Sequence, residues 1–140
     1  MRVIRASFVI AAMVFALVAQ PVSATHWSSA TFIAGNPRCA EGHKIDPVSD
    51  GTFAMDFGGF SGSITIDVTD TPSGPTFSFA TDNQFHVITS VVVKGGPNAL
   101  LYTYSPGVSG DSGLHSPLNS NNGKWYGLSH LCFETVKKSA

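Results

Sequence analysis

Five histidines, three tyrosines and two cysteines are the side chains most able to do chemistry in this 140-residue sequence. Their spacing decides which chemistry is open. His86, His115 and His130 offer imidazole, a ligand type that suits Zn or Cu, but no HxH or HxxxH pair supports a shared site. Asp111 with His115 could form half of a catalytic triad, yet no GxSxG elbow supplies the nucleophile. Ser129 and His130 are adjacent on an expected strand and so point to opposite faces. Glycoside hydrolysis needs two carboxylates facing one cleft. The only glutamates are Glu41 and Glu134, while Asp46, Asp50, Asp70 and Asp82 lie in turns, where they stabilise local backbone. The sequence therefore reads as one without catalytic machinery, metal or cofactor. A metal-binding protein or hydrolase centred on His115, His130 and Asp111 is the alternative.

A second set of residues suits recognition. Lys94, Tyr102, Tyr104, Trp125 and Tyr126 place a cation and polar-tipped aromatics beside glycine-rich segments, a combination that fits sugars or peptides. With Asp111, His115 and His130 they make up the candidate binding residues. A structural role competes for the same side chains: tyrosines at strand ends often pack in a core, and a lysine can guard a sheet edge.

Strands must position these residues. Ile64, Ile66 and Val68 alternate with Thr65, Asp67 and Thr69, the pattern of an antiparallel strand with one solvated face. Asp70 to Pro75 is a turn, and Phe77 and Phe79 alternate in the strand after it. Val87 to Val93 reads as a buried strand. Lys94-Gly95-Gly96-Pro97-Asn98 breaks it, and Leu100 to Tyr104 restarts one. Thr25 to Ala34 and Thr52 to Met55 supply earlier strands, and Trp125 to Val136 the last. Between them, Ser105 to Lys124 is rich in Gly, Ser and Asn with little to bury, and reads as one long loop. No long helix is expected. The fold class is all-β: an antiparallel two-sheet β-sandwich of six to eight strands, Ig-like or jelly-roll-like.

Arg2 and Arg5, the apolar run Phe8 to Val18 and the small residues Val22-Ser23-Ala24 form a signal-peptide pattern, so residues 1–24 are expected to be removed. The apolar run is shorter than the ~20 residues of a spanning helix, so no membrane anchor is expected in the exported product, a single domain over 25–140. Cleavage leaves Thr25 first and His26 second, so an amino-terminal histidine brace of the copper-oxygenase type is not formed. Without Arg2 and Arg5 the net charge is about −3, with no basic stripe, which argues against nucleic acid or anionic membrane as partner. Cys39 and Cys132 are the only cysteines. In an oxidising compartment they have one intramolecular pairing, expected to stabilise by about 4–5 kcal/mol in the chain-entropy model.

Val93-Lys94-Gly95-Gly96-Pro97-Asn98-Ala99, Tyr102-Thr103-Tyr104, Asp111 to Asn119, Asn122-Gly123-Lys124 and Tyr126-Gly127-Leu128-Ser129-His130 resemble a family of exported proteins and surface-protein domains, known mainly from bacteria. Asn36-Pro37-Arg38-Cys39 and Lys44-Ile45-Asp46-Pro47 look like its opening motifs. Family members often carry the late cysteine where Glu134 stands here. Cys132 is two residues earlier, one strand period, and so lies on the same face. The resemblance implies an exported β-rich domain and brings no reaction with it. The expected function is a secreted or cell-surface binding or structural module, with a glycan or protein as the ligand.

Overall fold

The computed structural model describes residues 28–139. The expected signal peptide and Trp27 lie outside them. Among the described residues every regular element is a strand, and every pairing is antiparallel.

The alternating segment forms β4 (Ser61–Thr71), between β3 (Gly51–Asp56) and β5 (Gly74–Thr81), with β8 (Gly110–Leu114) on the far side of β5. Its register sets Ile66 opposite Phe79 and Val68 opposite Phe77. Ile64, Ile66, Phe77 and Phe79 turn inward and are buried, as a period of two requires.

The second sheet runs in the order β1 (Ser28–Ala34), β7 (Asn98–Val108), β6 (His86–Gly95), β11 (His130–Lys137) and β2 (Lys44–Ile45). It offers Val91, Val93, Tyr102, Tyr104, Leu131, Phe133 and Ile45 to the shared core. Phe79 joins the sheets, its ring meeting Tyr104 at 6.1 Å and Phe133 at 5.3 Å edge to face. The two-sheet sandwich is thus the observed architecture. Among the described residues eight strands have five residues or more, and β2, β9 (Leu118–Asn119) and β10 (Lys124–Trp125) are two-residue bridges.

Two expectations change. Residues 105–124 are not one loop: β7 runs on to Val108, and β8 follows one residue later. Thr81 N donates to Ser109 O at 2.8 Å, which marks the corner where the chain leaves one sheet for the other. Backbone pairing sustains this stretch without a row of apolar side chains. Gly110 belongs there because a Cβ would meet Phe79 O at 2.7 Å. The last strand is also shorter than Trp125 to Val136. Trp125 lies in β10, its N bonded to Ser73 O, and Tyr126 N is bonded to Pro117 O. These bonds hold the chain off the ladder until His130.

Between β1 and β2 the chain passes from one edge of the five-stranded sheet to the other. Leu131 and Phe133 face the core, so Cys132 faces outward. Its disulfide to Cys39, with Cα atoms 5.3 Å apart, fastens this crossing segment over the outer face. The pairing expected from the cysteine count is therefore present.

Candidate functional site

The hairpin between β6 and β7 turns through Gly96 and Pro97, with Gly96 at φ +60°. Glycine first in a two-residue connection matches the twist of the strands it joins. Close packing needs the glycines as well. A Cβ on Gly96 would stand 2.6 Å from the Tyr126 ring, and one on Gly95 2.4 Å from Ser116. Lys94, buried, bends back to donate from Nζ to Gly96 O. The lysine ties the turn and does not reach outward as a free cation.

Onto this turn the 111–126 segment folds. Tyr104 Oη donates to Asp111 Oδ2 at 2.8 Å, and Asp111 Oδ1 accepts from Ser112 N at 2.7 Å. Tyr102 Oη donates to His115 O and accepts from His115 N, both at 3.1 Å. His115 Nδ1 lies 2.8 Å from Ser116 O. A carbonyl only accepts, so Nδ1 carries the proton and a neutral ring leaves Nε2 as acceptor. The His115 ring stacks on Trp125 with centroids 3.9 Å apart and planes 9° from parallel. Ser116, buried, donates to Tyr126 O at 2.5 Å. Leu118, directly opposite Trp125 in the β9–β10 pair, is 60% exposed.

Burial sets the electrostatics here. It raises the Tyr104 hydroxyl well above its ordinary value, and the hydrogen bond to Asp111 adds to the rise. Burial raises Tyr102 too, with Asp111 reinforcing it and the His115 backbone bond opposing it. Both phenols stay neutral donors. Their bonds go to His115 and Asp111, so they position the segment.

Of the sequence-predicted residues, Tyr102, Tyr104, Asp111, His115, Trp125 and Tyr126 come together in this assembly, and Lys94 joins it through Gly96. His130 does not. It stands opposite Lys94 in the β11–β6 ladder, beside the Cys39–Cys132 disulfide. Burial lowers its pKa first, and Lys44 and Lys94 lower it further, while Asp46 opposes them. His115 and Asp111 thus belong to the Tyr102–Tyr104 assembly, while His130 lies beside the disulfide. Sequence reasoning missed Ser116, which is polar yet fully buried, and Leu118, an isolated apolar residue in a polar stretch. It also missed Phe60 and Phe85, 67% and 69% exposed. They bound, with His86, a groove of about 420 Å³ at the end of the sandwich where β6 begins.

No protein-family model matches this chain, and no curated protein and no solved structure matches it. Fold and site together define a disulfide-closed, antiparallel two-sheet β-sandwich with an aromatic cluster at one end.

Proposed function

We propose that the chain works after export as a non-catalytic binding module of the cell surface or extracellular space, taking a glycan or protein ligand at the aromatic cluster that includes Leu118, Trp125 and Tyr126. The observation that carries this reading is the Trp125–His115 stack, held in place from beneath by the Tyr102 hydroxyl. A half-buried aromatic surface fixed before the ligand arrives loses little freedom on binding. Tryptophan and tyrosine also combine apolar area with a polar handle. The disulfide supports residence in an oxidising compartment.

The reading centred on His115, His130 and Asp111 draws less support. Asp111 accepts from Tyr104, His115 is stacked on Trp125, and His130 lies by the disulfide.

A glycan and peptide array probed with residues 25–140 tests the proposal. The expected outcome is a ligand whose affinity falls at least tenfold, about 1.4 kcal/mol, in Trp125→Ala. Absence of any signal above background from natively folded protein would sink it.

A further inference from the structure

Among the described residues, one group of three His, Cys, Asp or Glu side chains could converge on a metal ion: Cys39, His130 and Cys132, with donor atoms all within 4.8 Å of one another. The topology produces it. His130 and Cys132 are two residues apart on β11, and so share its outer face. The crossing segment between β1 and β2 then delivers Cys39 to that face. Beside the group lies a cavity of about 350 Å³ bounded by Arg38, Cys39, Glu41, Lys44 and His130, so it can be approached from solvent.

We propose that Cys39, Cys132 and His130 form a redox-gated site for a thiophilic d10 cation such as Zn²⁺, closed while the two sulfurs are bonded to each other and opened by an external dithiol. In the first step the dithiol transfers two electrons and two protons to the Cys39–Cys132 bond. The protein is left with two thiols, and the dithiol becomes a cyclic disulfide. In the second step Zn²⁺ takes both sulfurs as thiolates, releasing their two protons to solvent, together with one imidazole nitrogen of His130.

The geometry allows this with little movement. Two thiolates bound at about 2.3 Å on a tetrahedral ion stand roughly 3.8 Å apart. The present Cα separation of 5.3 Å reaches that by side-chain rotation and a small shift of the crossing segment, leaving the β11 ladder in place. Two thiolates neutralise the ion's charge, which lowers the cost of holding it at a largely buried position. Three protein ligands leave a fourth position, which the cavity can fill with water or a small external donor. Zinc sites that exchange ligands have this arrangement; closed structural sites have four protein ligands. The site shares no residue with the aromatic face, so it stands or falls independently of the binding proposal.

Cobalt(II) serves as a coloured probe for zinc. Residues 25–140 are titrated with Co²⁺ as oxidised protein, and again after reduction by excess dithiol and anaerobic desalting. The oxidised protein should show no thiolate-to-cobalt charge-transfer absorption. The reduced protein should show it saturating at one equivalent, be displaced by one equivalent of Zn²⁺, and keep its β-sheet circular dichroism. His130→Gln should weaken Co²⁺ binding at least tenfold with that fold intact. The proposal is overturned if the folded reduced protein binds no Co²⁺, if His130→Gln binds as tightly as wild type, or if binding occurs only with loss of the β-sheet spectrum.

Discussion

The Tyr104–Asp111 bond shows how a single pair can hold a segment that has little apolar side chain to bury. Asp111 is 7% exposed, and hydrogen bonds to a charged group contribute more than neutral ones, so losing one donor to a buried carboxylate is costly. Tyr104→Phe removes that donor and nothing else, so we expect a loss of about 1–3 kcal/mol in urea unfolding. A change within 0.5 kcal/mol would show that the hydroxyl contributes nothing net. His130 gives a pH prediction at the same scale. Its folded pKa lies below the ordinary 6.5, chiefly through burial and secondarily through Lys44. The unfolded chain therefore binds the proton more readily than the folded one. Stability is full above pH 6.5 and declines as pH falls through the folded pKa. Urea midpoints measured across this range should fall toward acid in wild type, and fall less steeply in His130→Gln. Neither role could be read from residue type alone. The sequence marks Tyr104, Asp111 and His130 as able to do something, while their partners are set by strand pairings many residues away.

At the scale of elements, alternation and turn chemistry made the β3–β4–β5 meander and the β6–β7 hairpin legible. Ile64, Ile66 and Val68 declare one face, and Gly-Gly-Pro-Asn declares a turn. The 105–124 segment was illegible because its strands are held by backbone bonds and by a few buried anchors, Leu114 and Ser116 among them. Periodicity looks for rows of apolar side chains and finds none there. The break before β11 was hidden for a related reason: Trp125 and Tyr126 look like strand residues, but they pack on turns contributed by other hairpins. Gly96 tests that packing. Gly96→Ala meets both an unfavourable positive φ and the Tyr126 ring, whereas Gly123→Ala at φ +69° meets no atom within 4 Å. Each carries a backbone penalty of about 1–3 kcal/mol. Gly96→Ala should be the more destabilising of the two and should also weaken ligand binding by displacing Tyr126. Equal urea midpoints for the two variants would mean that the turn and the aromatic face are not coupled.

For the whole molecule, the disulfide does more than close a loop. It joins residues 93 apart in sequence and fastens the crossing segment over one outer face, while the hydrophobic core lies between the sheets on the other side of β11. Loss of the bond should therefore weaken the fold without dismantling the sandwich. Replacing both cysteines with serine should lower stability by about 4–5 kcal/mol in the chain-entropy account, against a total that for domains generally is about 5–15 kcal/mol. The double variant also fixes the reference for the metal proposal, since it has the freed crossing segment but no thiolates. Reduced wild type without metal should match it in urea midpoint. Zn²⁺ at one hundred times its dissociation constant should raise the reduced wild type by about 2.7 kcal/mol, because it binds the folded state, and leave the serine variant unmoved. A rise of equal size in both would place the metal elsewhere on the protein, and no rise in either would leave the disulfide as a structural clamp alone.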